Sequence, residues 1–242
     1  MFSGQGAQFW PLDLGLVVRF PVFREMLLRC ETQLAAEGVQ WSLLEQLCAP
    51  DGATLLRRAD VCQPAIFACQ VALAALWRSW GIAPAAVVGH SLGEVAAAYV
   101  AGILSLAEAV HLVVKRGQIT AQASGKGAMA LVGVSMEAAR KLIRTDESVL
   151  AVAVSNSPTN CVLSGDPAAL EAKLVQLEQR GIFARRLSAI DYAAHSPQME
   201  PLKHELSAAL TGLPLPRRGN PLLFYRQGRC SGRRSTGRML LG

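Results

Sequence analysis

Hydrophobic residues recur at helical spacing over most of the first 123 positions. Apolar and charged residues alternate with that period over 20–48. Residues 63–80 are apolar nearly throughout and predict a buried helix, which Pro64 would open because proline suits the first helical turn. Two more helices are predicted over 91–104 and 105–123.

One short strand is predicted among these helices. Residues 85–90, AAVVGH, form an apolar run typical of a buried strand, and a sharp turn joins it to the helix over 91–104. A strand, a sharp turn and a helix in this order are typical of α/β folds. The predicted fold class is therefore α/β.

The pattern changes after the glycine-containing segment 124–127. Strands are predicted over 129–135, 149–156, 161–165 and 182–188, and helices over 136–144 and 167–181. This β-α-β-β-α-β order is the ferredoxin-like pattern. We therefore predict a small subdomain over 126–188, inserted into a large α/β subdomain that comprises 1–125 and 189–225.

Charge separates the end of the chain from the rest. Residues 206–242 carry seven arginines and no acidic residue, while the whole chain has a formal net charge of +6, so the first 205 residues carry −1. Residues 226–242 predict a basic, disordered tail. This tail lacks the interleaved aromatic residues of a stacking surface, which argues against nucleic-acid binding.

Composition narrows the class of protein further. The six cysteines show no metal-binding spacing, so we expect reduced, buried thiols and no metal site. No apolar run reaches the roughly 18 residues of a membrane span. The first residues also lack the basic and apolar regions of an export signal. We therefore expect a soluble, cytoplasmic protein without membrane contact.

The segment GHSLG at 89–93 matches G-x-S-x-G, the nucleophile elbow of serine enzymes. Its glycines relieve crowding, so that Ser91 can occupy a strained turn with its hydroxyl exposed. The N–H of Leu92 would point the same way and could stabilise an oxyanion. The alternative is that Ser91 only caps the following helix, but the preceding strand favours a nucleophile.

A serine nucleophile needs a general base, and the chain has four histidines. His90 would point away across the turn, His111 lies on an amphipathic helix, and His204 lies in a charged helical segment. His195 remains, in a loop where the small subdomain returns to the large one. Such a loop is a usual place for a residue that faces a cleft. A surface histidine without a catalytic role is the alternative.

Five motifs stand in a characteristic order and spacing: GQGAQ at 4–8, GHSLGE at 89–94, KRG at 115–117, NSPTNCVLSGD at 156–166 and YAAHS at 192–196. Together they closely resemble the acyltransferase domain of modular type I polyketide synthases. That domain is a relative of the malonyl-CoA:acyl carrier protein transacylases of fatty-acid synthesis. The resemblance covers residues 2 to about 225. It implies an α/β-hydrolase-like large subdomain beside the ferredoxin-like one.

The resemblance also assigns roles to individual residues. It implies that Ser91 is the acylated nucleophile and that His195 is its base. It further implies that the backbone N–H groups of Leu92 and Gln5 form the oxyanion hole. The sequence around these residues is consistent with such roles, since an elbow serine and a junction histidine stand out without the resemblance.

Four further residues are implied to bind the acyl group. Arg116 would hold the free carboxylate of a malonyl-type unit with its two-pronged guanidinium. Gln63 matches a glutamine that the family keeps beside the pocket. YAAH at 192–195 resembles the YASH form that the family associates with methylmalonyl, so Tyr192 and Ala194 are expected at the pocket. The small Ala194 leaves room for an α-methyl branch, so methylmalonyl is favoured. One methyl group discriminates by only about 1–3 kcal/mol, so mixed use is expected and malonyl comes next.

The implied reaction is a ping-pong transfer. Ser91 attacks the thioester of methylmalonyl-CoA or malonyl-CoA, and the phosphopantetheine thiol of an acyl carrier protein then takes the acyl group. CoA is a substrate here, so no cofactor is expected, and adjoining synthase domains are expected as partners. The alternatives are a serine thioesterase or esterase with the same elbow, and a non-catalytic remnant that docks a carrier protein.

The chain departs from the family pattern in three places. No apolar strand precedes MFSGQG, which predicts a less firmly anchored Gln5, and residues 9–20 stand where a Gly/Met-rich turn is usual. The family also continues with core elements after Tyr225. We therefore expect a large subdomain that is incomplete at its C-terminal end, with impaired activity.

Overall fold

The computed structural model describes residues 1–6, 11–50 and 54–211, together with the backbone of 222–226 and 229–232. The chain forms two compact units. The first unit contains Met1–Gln118 and most of the described residues after Leu210, and the second unit contains Ile119–Ala209. The second unit thus extends beyond the predicted limits of 126–188 at both ends.

Helices form most of the first unit. They are α1 (Leu14–Arg19), α2 (Pro21–Ala36), α3 (Leu43–Cys48), α4 (Ala59–Ser79), α5 (Gly93–Val100) and α6 (Leu106–Ala121). Their buried faces meet in one hydrophobic core, in which Phe23, Leu27 and Phe67 are almost wholly inaccessible. By length and composition α4 resembles a membrane span, but most of its residues are buried in this core.

The start of α4 differs from the prediction. The helix begins at Ala59 rather than at Pro64, so the proline lies inside the helix. Its missing N–H costs one hydrogen bond, to the carbonyl of Asp60 in the first turn. Val61 and Cys62 are buried at 0% and 5% exposure, and their burial favours the additional turn. Prediction of the helix start from Pro64 was therefore wrong.

A small three-stranded sheet carries the turn at Ser91. Strand β1 (Val87–Gly89) pairs in parallel with β6 (Leu222–Arg226), and β7 (Arg229–Gly232) follows on the far side of β6. Strand β7 lies within the segment that the sequence predicts as a disordered tail. Residues 227–228 and 233–242 of that tail lie outside the described residues.

The second unit contains a four-stranded antiparallel sheet with two helices. Its elements are β2 (Ala128–Val132), α7 (Met136–Ile143), β3 (Leu150–Ser157), β4 (Asn160–Gly165), α8 (Pro167–Gln179) and β5 (Ala184–Arg186). The strand order is β3-β4-β2-β5, the ferredoxin-like arrangement, which confirms the prediction. A 3₁₀ turn, Pro197–Met199, leads into α9 (Glu200–Ala209). This unit has a hydrophobic core of its own, which includes Leu163.

Candidate active site

Ser91 lies between β1 and α5, as the elbow motif predicts. The backbone φ of Ser91 is +52°, in the left-handed region that residues other than glycine rarely adopt. A Cβ at Gly89 would collide with the backbone of Gly93 and Glu94, and one at Gly93 would collide with the carbonyls of Phe2 and Ser3. Both glycines are therefore required by close packing around the nucleophile turn.

Backbone strain separates two residues from all others that the structure describes. Among these, Ser91 and His195 are the only residues other than glycine with a positive φ, at +52° and +57°. Such conformations cost of order 1–3 kcal/mol and cluster at functional sites. The two residues are also the predicted nucleophile and the predicted base.

Arg116 extends from α6 to Ser91. Its Nη2 donates to Ser91 Oγ at 3.3 Å, and its Nη1 donates to Gln63 Oε1 at 2.6 Å. Gln63 is fully buried on α4, and its Nε2 lies 3.5 Å from Gln5 Oε1. The structure thus brings together four predicted site residues from the N-terminal segment, α4, the elbow and α6.

The N-terminal segment lies directly against the elbow. Phe2 N–H donates to the Val88 carbonyl at 2.8 Å, and His90 N–H donates to the Phe2 carbonyl at 2.9 Å. A Cβ at Gly4 would lie 3.1 Å from both Nδ1 and the carbonyl oxygen of His90. The segment therefore pairs with β1 at Phe2. The last two residues of the GQGAQ motif, at 7 and 8, lie outside the described residues.

Two ionisable side chains next to Ser91 have shifted pKa values. Burial raises the pKa of Glu94 to about 7, against the opposing influence of the Arg116 guanidinium. Burial lowers the pKa of His90, which favours the neutral imidazole. The sequence analysis quoted Glu94 within GHSLGE but gave it no role. The sequence did contain a signal for Glu94, since a carboxyl three residues after an elbow serine must lie in the first turn of the helix.

The loop that carries His195 belongs to the second unit. Tyr192 and Ala193 are buried, at 5% and 2% exposure, and Ala194 and His195 are half-buried. Ser196 Oγ donates to the Ala193 carbonyl at 2.7 Å. A Cβ at Gly127 would collide with the backbone nitrogen of Ala193. The loop is thus packed closely against the start of β2.

Two other histidines and the cysteine thiols also have defined surroundings in the structure. His111 Nδ1 lies 2.9 Å from Glu37 Oε2, between α6 and α2, and His204 is exposed on α9. Five cysteines have side chains that the structure describes, and all five are free thiols. In that part of the chain, no group of three or more His, Cys, Asp or Glu side chains is placed to hold a metal ion.

An α/β unit with a nucleophile elbow, together with a ferredoxin-like unit, defines a class of acyltransferase folds, and comparison with known proteins identifies the family. A family model described as "Acyl transferase domain" matches residues 1–221. The spectinabilin polyketide synthase system protein NorC of Streptomyces orinoci is 45% identical over 214 residues, which cover 88% of this chain and 9% of NorC. The chain therefore belongs to the acyl transferase domain family, and its relatives include acyltransferase domains of modular polyketide synthases.

Solved structures agree with this assignment. The acyltransferase domain from module 8 of the salinomycin polyketide synthase has a TM-score of 0.88 at 40% identity, over 96% of this chain and 54% of that one. The malonyl CoA-acyl carrier protein transacylase of Coxiella burnetii has a TM-score of 0.84 at 27% identity, over 96% of this chain and 73% of that one. These likenesses confirm the α/β-hydrolase-like fold with a ferredoxin-like subdomain. The chain spans about half of the salinomycin chain and a small fraction of the curated relatives.

Proposed function

We propose that this chain transfers a malonyl-type acyl group from CoA, through an ester on Ser91, to the phosphopantetheine thiol of an acyl carrier protein. The observation that carries the proposal is the position of Arg116. A guanidinium 3.3 Å from a strained elbow hydroxyl places a cation where the free carboxylate of a malonyl-type thioester would lie once its carbonyl reaches the serine. An esterase that acts on neutral acyl groups has no need of this cation.

In the first half-reaction, His195 takes the hydroxyl proton as Ser91 Oγ attacks the thioester carbonyl. The backbone N–H groups of Leu92 and Gln5 stabilise the oxyanion of the tetrahedral intermediate. The carbon–sulfur bond then breaks, and protonated His195 returns its proton to the CoA thiolate. The products are free CoA and the acyl-serine ester.

In the second half-reaction, His195 takes the proton of the phosphopantetheine thiol. The thiolate attacks the acyl-serine carbonyl, the same N–H groups stabilise the oxyanion, and the serine oxygen leaves and regains a proton from His195. Hydrolysis competes at this stage, because water would release the free acid instead. Neither half-reaction needs a metal or a cofactor, so we propose that none is used.

Arg116 selects a carboxylated acyl group. A malonyl or methylmalonyl carboxylate brings a counter-charge to the guanidinium, whereas a neutral acetyl group does not. We propose methylmalonyl as the preferred unit and malonyl as the next, because Ala194 is small and stands beside Tyr192 in the segment YAAH. The proposed partners are a carrier protein and adjoining synthase domains, because the relatives of this chain are modular synthases. The proposed location is the cytoplasm.

The proposal is tested by intact-protein mass spectrometry after brief incubation with methylmalonyl-CoA, malonyl-CoA or acetyl-CoA. We expect a mass gain of one carboxylated acyl group with the first two donors, and no gain in Ser91→Ala. Addition of a phosphopantetheinylated carrier protein should then move the label to that protein. Release of free acid in its presence would favour a thioesterase, and a folded protein that gains no mass would overturn the proposal.

A further inference from the structure

Gln70 is a half-buried polar residue of α4 that the proposed reaction does not use. Its side-chain Nε2 donates to the backbone carbonyl of Ser3 at 2.8 Å and lies 3.5 Å from Ser3 Oγ. A backbone carbonyl only accepts hydrogen bonds, so the amide nitrogen must face it. The orientation of the Gln70 side chain is therefore determined by its contact with the N-terminal segment.

This orientation leaves the other end of the amide unsatisfied. Gln70 Oε1 is buried and has no hydrogen-bond partner among the described residues. A buried acceptor without a partner destabilises the folded state, and each such group in a native protein calls for an explanation. A hydrophobic side chain of similar size would avoid this cost, so stability alone does not account for glutamine at position 70.

The position of Ser3 suggests the explanation. Pairing of the N-terminal segment with β1 occurs at Phe2, and the proposed oxyanion donor is the N–H of Gln5, three residues later. Gln70 holds the carbonyl of Ser3, between these two points. Gln63 lies seven residues before Gln70, on the same face of α4, and its Nε2 approaches the Gln5 side chain at 3.5 Å. One helix face therefore contacts the segment at two places.

We propose that Gln70 is a positioning residue that fixes the N-terminal segment so that the Gln5 N–H points at the thioester oxygen. The inference rests on the proposed function, because it concerns the oxyanion hole of that reaction. It also supplies an anchor for Gln5 that does not depend on a preceding strand. Oxyanion donors act through a fixed orientation, and an error of about 1 Å in such a group costs up to about 10²-fold in rate.

The test compares Gln70→Met with the wild-type chain. Methionine keeps the length of the side chain but removes both the donor to Ser3 and the unsatisfied acceptor. We expect the single-turnover acylation rate of Ser91 to fall about tenfold, with the KM for the acyl-CoA donor within about twofold of wild type. The melting temperature should stay equal or rise, because an unsatisfied buried group has been removed.

Two further variants make the test specific. Gln70→Glu keeps the shape but replaces the donor with acceptor oxygens, and its acylation rate should fall at least as far as that of Gln70→Met. Gln33→Met, at a half-buried glutamine of α2, is the matched control and should acylate at the wild-type rate. A wild-type rate in Gln70→Glu would overturn the inference, since the donor would then be dispensable.

The outcomes separate this inference from the proposed function. A wild-type chain that is not acylated would overturn both. An acylated wild-type chain with an equally fast Gln70→Met variant would overturn the positioning role alone. A Gln70→Met variant whose rate and melting temperature fall together would also overturn it, since that result indicates an ordinary packing role.

Discussion

Arg116, the proposed carboxylate-binding residue, is in direct contact with Ser91, the proposed nucleophile. The guanidinium donates to the serine hydroxyl at 3.3 Å and to buried Gln63 at 2.6 Å. A planar guanidinium has five N–H donors in a fixed arrangement, so the Gln63 contact orients the whole group. A carboxylate that arrives beside Ser91 therefore meets a cation that is already held in place.

Arg116→Lys should weaken this recognition selectively. A lysine ammonium cannot bind a carboxylate with two parallel hydrogen bonds, so we expect kcat/KM for malonyl-CoA to fall about 10–100-fold. The acylation rate with acetyl-CoA should not fall, since a neutral acyl group does not use the guanidinium fork. Both donors are measured by single-turnover acylation, and an equal loss with both would show that Arg116 does not read the carboxylate.

Glu94 should make the stability of the fold depend on pH. Burial raises the pKa of its carboxyl in the folded state from the ordinary 4.5 to about 7. Between these values the folded chain retains a proton that the unfolded chain has lost, so the contribution of Glu94 to stability is present below pH 4.5 and is lost as pH rises towards 7. The glutamine of Glu94→Gln carries no charge at any pH, so the stability of this variant should not fall over this pH range.

Urea unfolding at pH 5 and pH 8 measures this effect. We expect Glu94→Gln to be about 2 kcal/mol more stable than the wild-type chain at pH 8, and nearly equal to it at pH 5. Glu25→Gln, at an exposed carboxyl of α2, should differ little from wild type at either pH. If the free energies of unfolding of Glu94→Gln and wild type differed by the same amount at both pH values, the raised pKa of Glu94 would be contradicted.

At the scale of elements, the loop Tyr192–Ser196 depends on the start of β2. Gly127 N–H donates to the Asp191 carbonyl at 3.4 Å, and Ser124 Oγ donates to the Asp191 carboxylate at 2.5 Å. A side chain at Gly127 would overlap the Ala193 backbone, two residues before His195. A shift of the residues at the start of β2 would therefore also shift the loop that carries His195.

Gly127→Ala should displace this loop. The added methyl group collides with backbone atoms that cannot rotate away, so we expect the acylation rate of Ser91 to fall at least tenfold. Gly133→Ala is the matched control, because its Cβ would come no closer to Phe183 than 3.2 Å, at the Cβ of that residue, with the Phe183 carbonyl oxygen at 3.4 Å. Equal acylation rates in the two variants would show that the His195 loop tolerates movement.

At the scale of the whole molecule, each unit has its own hydrophobic core. Leu27 is fully buried in the helical core of the first unit, and Leu163 is fully buried in the ferredoxin-like unit. A leucine-to-alanine change in such a place removes transfer free energy and leaves a cavity. Damage to one core should therefore act first on the unit that contains it.

Leu163→Ala should lower the free energy of unfolding by about 2–5 kcal/mol. In native-state hydrogen exchange, we expect lost protection in β2, β3 and β4 with little change in α2 and α4. Leu27→Ala should give the reverse pattern. Lost protection spread evenly over both units, in either variant, would mean that the chain unfolds as one cooperative body.

The secondary structure could be predicted largely from local pattern. The order of strands and helices in the second unit follows from short apolar segments alternating with two helical runs, and the turn at Ser91 follows from two glycines around a serine. Pro64 shows the limit of such reasoning. Local preference places it at a helix start, whereas burial of Val61 and Cys62 extends α4 by a further turn.

The sequence by itself determined the α/β class, the ferredoxin-like order and the elbow at Ser91, because these depend on residue types and spacings along the chain. It also predicted His195, among four histidines, as the base. Tertiary structure decided which distant residues meet. Arg116 reaches Ser91 across 25 positions, Gln70 reaches Ser3 across 67, and the pKa of Glu94 depends on its burial. Contacts of this kind arise from the packing of α4 and α6 against the elbow, which no local pattern encodes.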